Sequence, residues 1–286
     1  MKKHLIPFAL VVTLLAPAVL AQDYEIHIVR PMKVGQEFKL SVTGKMTTDS
    51  SKAMGDAPAE ADKEVISVQL DGVEKIVEVD EHSQETKVTV TVDKLSMTAN
   101  GETKELAPKG TVITCFAQAK KTAYQIDGKD VDPDVAKALR MVVEVMSHDG
   151  PTNDEVFGTK ERKKKGDSWD INADLAKNFF AGQTGMEVND FSGKNSLEDV
   201  SADSMKLSAE IKGKIKPPLP PQITVDDSSL EIKTSGQFPL DTTKPETEDS
   251  MSVNFSFSAH ADTPQGKLVI KVSADQSKEV TMTPLK

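Results

Sequence analysis

Five of the six residues from Lys160 to Lys165 are basic: Lys160, Arg162, Lys163, Lys164 and Lys165. They form the one concentrated positive patch in a chain of 45 acidic and 35 basic residues. The chemistry such a patch offers is anion binding, to a lipid headgroup, a polyanionic glycan or an acidic partner. The competing reading is a solvated run balanced by nearby acids, which is what most charge runs are. The spacing lacks the Gly-x4-Gly-Lys-Ser/Thr of a phosphate loop, so it does not support nucleotide binding.

The other reactive residue types form no comparable constellation. Cys115 lies in Val112-Ile113-Thr114-Cys115-Phe116-Ala117, on the same strand face as Ile113 and Ala117. A catalytic thiol needs a base and an activating field, and this setting points to a structural, buried cysteine. Ser147-His148-Asp149 contains triad residue types, but adjacent residues cannot converge in triad geometry. Neither Gly-x-Ser-x-Gly nor His-Glu-x-x-His occurs. Beyond the N-terminal segment, His27, His82, His148 and His260 are scattered, without zinc-ligand spacing. Asp127, Asp130, Asp132 and Asp134 invite a calcium reading, but Gly128 falls too early for a calcium loop and two of the acids suit a helix cap. Asn254-Phe255-Ser256 fits a glycosylation sequon inside a strand pattern. The sequence therefore predicts no catalytic residue, no cofactor and no metal.

The N-terminus gives a location. Lys2, Lys3 and His4 precede an apolar run from Leu5 to Leu20 that ends in small residues at Ala21. This reads as a secretory leader, residues 1–21, cleaved between Ala21 and Gln22. The run is too short for a spanning helix, and Pro17 breaks its end. No cysteine follows the cleavage point to carry a lipid, and no later stretch is long and apolar enough to span. Removing the leader leaves 33 basic residues against 45 acidic ones, a net charge of −12. So acidic a chain argues against nucleic acid as a partner. One cysteine excludes an intrachain disulfide, so stability must come from core burial. The 5% aromatic content disfavours a sugar-stacking platform.

Most of the chain alternates apolar and polar residues with period two, the pattern of half-buried antiparallel strands. Examples are 38–42, 88–92, 253–257 and 268–272. Turn signals at Asp71-Gly72, Asn100-Gly101 and Asp127-Gly128 separate the runs, the last two as two-residue hairpin candidates. Asp132-Pro133-Asp134 opens a helix expected over 133–147, with Val135, Leu139, Val142, Val143 and Met146 on one stripe. A second helix is expected over 173–181, capped by Asn172 and stopped by Gly182. Thr47–Lys63, Ser147–Asn153 and Asp241–Ser250 read as loops, the first long and mobile, and Lys216–Pro221 as an extended spacer.

Two strand starts repeat. Gly35-Gln36-Glu37-Phe38-Lys39-Leu40 and Gly166-Asp167-Ser168-Trp169-Asp170-Ile171 each follow a basic segment. Each places a large aromatic three residues after glycine and an aliphatic two further on. The glycine suits the turn, and the two apolar residues share a strand face. The segments 33–40, 110–131, 164–171 and 229–242 together resemble a family of uncharacterised exported bacterial proteins that carries only a domain of unknown function. The resemblance spans most of the chain beyond the leader and implies no catalytic residues. The architecture is also similar to the periplasmic lipoprotein-carrier fold, and fold does not imply function.

The expected fold is mainly β with two helices (α+β). It is either a curved antiparallel sheet or two related half-barrels, with a β-rich half over 22–150 and another over 151–286. The expected role is an exported, non-enzymatic protein of the periplasm or extracellular space that binds an unknown envelope ligand or protein, with Lys160 and Arg162–Lys165 as a binding patch. A structural or assembly role is the alternative, and an exported hydrolase is less favoured. Intact-mass analysis of the exported protein is expected to show a chain beginning at Gln22. A full-length chain recovered from membranes would contradict this.

Overall fold

The computed structural model describes residues 22–118, 121–145, 150–184 and 187–285. The expected leader, with Ala21, and the Ser147-His148-Asp149 stretch lie outside the described residues. The first strands are β1 (Tyr24–Ile26), β2 (Glu37–Met54), β3 (Glu60–Val79), β4 (Glu85–Ala99) and β5 (Glu102–Ala107). Next come β6 (Val112–Gln118), β7 (Lys121–Ile126), β8 (Lys129–Asp130) and the helices α1 (Pro133–Leu139) and α2 (Asn153–Phe157). They are followed by β9 (Thr159–Lys163), β10 (Ser168–Asp170) and helix α3 (Ala173–Thr184). Five long strands complete the order: β11 (Glu187–Val200), β12 (Ser204–Lys216), β13 (Thr224–Pro239), β14 (Glu248–Thr263) and β15 (Gly266–Pro284).

Thirteen strands form one open, curved antiparallel sheet, in the order β10-β11-β12-β13-β14-β15-β2-β3-β4-β6-β7-β8, with β5 also on β4. This is the expected mainly β class. β1 and β9 pair separately as a two-stranded sheet. The last strand lies beside the first long one: β15 pairs β2 from Leu268↔Met54 to Pro284↔Phe38 without a register shift. The 20-residue β3 spans roughly 65 Å at the usual ~3.3 Å rise per residue.

The repeated glycine motif builds the same turn twice. Gly35 and Gly166 adopt φ +87° and +90°, the left-handed conformation that favours glycine. Gly35 N donates to Ile76 O while Gln36 O accepts from Ile76 N; Gly166 N donates to Leu197 O while Asp167 O accepts from Leu197 N. A side-chain oxygen of Gln36 or Asp167 accepts from Lys33 N or Lys164 N. Phe38, Leu40, Trp169 and Ile171 are all buried. The two hairpin candidates also form: Asn100-Gly101 and Asp127-Gly128 have positive φ at both positions and join β4 to β5 and β7 to β8.

The structure corrects several expectations. Thr47–Lys63 is no mobile loop. It is the end of β2, a tight turn and the start of β3, paired from Thr47↔Val65 to Lys52↔Glu60. Its Thr, Ser and Asp residues carry no apolar alternation, but β15 supplies a second ladder that fixes β2. Asp71-Gly72 is not a turn but a register shift inside β3, where a Cβ on Gly72 would strike the Thr91 carbonyl. Helix α1 ends at Leu139 instead of 147. The chain then turns, with Val142 N and Val143 N both donating to Leu139 O, and continues without regular structure with Val142, Val143 and Val145 buried; β-branched valines lower the propensity to continue a helix. Helix α3 passes through Gly182 to Thr184, since one helical glycine costs only about 1 kcal/mol. A third helix, α2, was not expected. Its signal was present: Thr152 and Glu155 form a capping box.

Three apolar clusters fill the inner face. Leu40, Val42, Val68, Leu70, Val88 and Ile113 pack beneath α1 and residues 141–145. Val188, Ile211 and Ile232 pack with Val156 of α2 and Ala176 of α3. Trp169 packs with Ile26, Leu197, Leu207 and Phe238, and its Nε1 donates to Phe157 O at 2.8 Å. Trp169→Ala is expected to cost about 3–5 kcal/mol, with native tryptophan emission blue-shifted and resistant to iodide. Ready quenching and unchanged stability would contradict the packing.

Candidate functional site

A cavity of about 240 Å³ opens on the inner face. Its floor is Leu40 and Val42 of β2, Val88 of β4, and Val280 and Met282 of β15. Two non-helical segments wall it. One is 142–145, held when Tyr124 Oη donates to Val143 O at 2.7 Å and Thr122 Oγ1 bonds both Val145 N and Val145 O at 3.0 Å. Gly44 lets this segment approach: a Cβ there would lie 2.5 Å from Met141 O. The other wall is the strap 28–32. Asp154 of α2 accepts from Ile28 N and Val29 N. Farther along, Gln84 Nε2 donates to Arg30 O at 3.2 Å and Met32 N to Ser83 O at 2.8 Å. Asp80 shapes the 80–84 turn by accepting from His82 N and Gln84 N.

Arg30 lines this cavity with only 5% of its surface exposed. Its guanidinium stands 5.6 Å from the Phe238 ring centre, and Nη2 donates to Pro239 O at 3.1 Å. Nε and Nη1 are buried and meet no hydrogen-bond acceptor among the described residues. Burial lowers the guanidinium pKa, while Asp154, Glu246 and Asp241 act in the opposite direction. An arginine still keeps its charge in any protein environment.

Carboxyls share the cavity. Glu74 is pushed up to about 7, chiefly by burial and then by the charge of Glu85, with Lys278 opposing. Burial holds Glu246 well above the usual carboxylate range, Asp249 adds to this and Arg30 opposes it. Asp249 is raised by burial against the pull of Lys278 and the Ser250 N–H. Glu246 reaches inward because Gly236 has no side chain: a Cβ there would collide with its carboxyl oxygen and with the Phe238 ring. Among the described residues, no group of three or more His, Cys, Asp or Glu is arranged to hold a metal ion.

The basic patch lies elsewhere, around β9. Arg162 meets Glu25 at 2.7 Å, Lys163 meets Glu161 at 2.6 Å, Lys164 meets Asp23 at 3.7 Å and Lys165 meets Asp199 at 2.5 Å. Lys163 also stands 6.0 Å from the Trp169 ring centre. Lys160 is exposed and borders an open depression of about 880 Å³ with Arg162. Cys115 is fully buried, and burial pushes its thiol up to about 12, so it is held as an unreactive thiol. Asp132 caps α1 by accepting from Asp134 N at 2.9 Å.

Sequence reasoning missed the cavity residues, although two carried a signal. Along β3 the inward positions run Ile66, Val68, Leu70, Gly72, Glu74, Ile76, so Glu74 is an acid where alternation calls for an apolar residue. Lys278 interrupts the inward positions of β15 before Val280 and Met282 in the same way.

No family model and no curated protein matches the chain, so the resemblance to the uncharacterised exported family rests on its quoted segments. Two solved structures are similar in outline. One, described by its lipid–protein interactions, is lipovitellin, at 7% identity and a TM-score of 0.38, with 88% of this chain and 25% of that chain covered. The chain thus spans a quarter of lipovitellin. The other is an outer membrane channel from Pseudomonas putida F1, at 8% identity and a TM-score of 0.22, covering 89% and 97%. Scores this low carry no functional argument. No helix among the described residues is long and apolar enough to cross a membrane.

The carboxyls make stability depend on pH. A carboxyl raised in the folded state holds its proton more tightly there. Its stabilisation is complete below the unfolded value of 4.5 and is lost as pH rises through about 7. Glu74→Gln is therefore expected to remove about 2 kcal/mol of the loss in unfolding free energy between those limits, allowing for partial solvent access. Urea titrations at both ends of the window test this, and an unchanged slope would contradict it.

Proposed function

We propose that the chain is an exported, non-enzymatic protein of the cell envelope that binds a small ligand in the inner-face cavity. The observation that carries this reading is Arg30, a buried cation whose Nε and Nη1 donors have no partner among the described residues, lining a cavity with an apolar floor and charged walls. Buried donors of a charged group left without acceptors are costly, and an unsatisfied buried group of this kind is a candidate functional site. The secretory leader pattern supports the location, periplasm or extracellular space. The basic patch is the weaker candidate, because four of its five charges already face carboxylates.

A second reading, an exported hydrolase, draws on the same cavity. A carboxyl held near 7, as Glu74 is, suits general acid–base work. The two readings part on the fate of the ligand: a binding protein returns it intact and a hydrolase returns fragments.

Native mass spectrometry of the protein purified from its own host is expected to show a small adduct that denaturation releases intact. Val280→Trp, which fills the cavity, should lose the adduct while staying folded. An adduct retained by that variant, or none in the native protein, would contradict the proposal.

A further inference from the structure

Building on the ligand-binding reading above, we propose that the ligand is a small amphiphile whose oxyanion head pairs with Arg30 and whose short apolar body lies on Val42, Val143, Val280 and Met282. The acids with the strongest electrostatic reach to Arg30 are Asp154, Glu246 and Asp241. Asp154 is engaged by the Ile28 and Val29 N–H groups. Asp241 is engaged by Thr243 N at 3.0 Å and Thr243 Oγ1 at 2.6 Å. Burial favours the protonated form of Glu246. Among the described residues Arg30 is thus left with two free donor nitrogens and no hydrogen-bonded counter-ion. A cationic ligand would meet both Arg30 and Lys278, and a neutral apolar one would leave the donors unsatisfied. A carboxylate or phosphate oxygen satisfies them with charge-assisted hydrogen bonds, while the apolar floor takes a short hydrocarbon.

The same lining sets a pH dependence. Glu74, Glu246 and Asp249 face the head position from β3, from the segment leading into β14 and from β14 itself. Glu85, Glu144 and Glu248 complete the acidic side, and Lys278 supplies the second cation. Protonating the first three removes charges that repel an oxyanion, so affinity falls as pH rises.

Calorimetric titration of the exported protein with hexanoate, hexyl phosphate, inorganic phosphate, hexylamine and 1-hexanol, at about pH 5.5 and about pH 8, tests the proposal. Both hexyl anions are expected to bind about tenfold or more tightly than hexanol. They should also bind more tightly than inorganic phosphate, and more weakly at the higher pH. Hexylamine should not bind. Arg30→Met should abolish the preference for the anions. Should that variant fail to fold, the side-chain Nε–H resonance of Arg30 in the unaltered protein must move on saturation with hexanoate. Hexanol or hexylamine binding as tightly as hexanoate, or a static Arg30 resonance, would overturn the oxyanion assignment and leave cavity binding intact. Inorganic phosphate binding as tightly as hexyl phosphate would overturn the apolar-body assignment. No binding by any of the five would overturn the ligand-binding reading as well.

Discussion

The ladder between β15 and β2 joins the two halves of the chain into one sheet. Each half of the chain forms a meander with unpaired long edges, and exposed edges of that length invite association. Pairing Leu268–Pro284 with Phe38–Met54 removes both edges and creates one continuous inner face. The apolar residues of β2, β3, β4 and β15 then become neighbours and can be covered. Their burial, at about 1.5–3 kcal/mol for each large side chain, stabilises a chain that has no disulfide.

That shared face is covered by irregular chain as well as by helix. Residues 141–145 cross one part with their backbone groups satisfied by Tyr124 and Thr122. The 28–32 strap crosses beside it, tied to α2 through Asp154 and to the 80–84 turn through Gln84. The segments do not meet over Val42, Val280 and Met282, and the cavity lies between them. Arg30, Glu74, the Glu246–Asp249 pair and Lys278 converge there from four separate stretches of sequence, with the sheet register and the strap deciding their meeting.

This convergence explains what was legible in the sequence. Local rules carried well: the glycine turns before Phe38 and Trp169, the two-residue turns at Asn100-Gly101 and Asp127-Gly128, and the Asp132-Pro133 helix start each formed as their chemistry requires. Period-two alternation located β4, β14 and β15. It failed over Thr47–Lys63, where residues on both faces are polar and two neighbouring ladders impose the strand. The overlong reading of α1 came from Val142 and Val143, whose spacing suits a helical stripe but which are equally buried by a turn and irregular chain. Glu74 could have been noticed as an acid on an inward strand face. Arg30 could not, because its burial depends on Phe238 and Pro239, distant in sequence. The attention drawn by Lys160 and Arg162–Lys165 reflects charge density, a local property that acids from 23–25 and from Glu161 and Asp199 offset in space.

The proposed role of the bare Nε and Nη1 donors of Arg30 is to hold something that is not protein. A high-resolution crystal structure of the protein purified from its own host, without ligand added, tests it most directly. The expected density is a compact non-protein molecule with an acceptor oxygen within hydrogen-bonding distance of Nε or Nη1 and an apolar part against Val280 and Met282. Ordered water alone at both nitrogens, or Glu246 swung over to pair with the guanidinium and close the cavity, would contradict it.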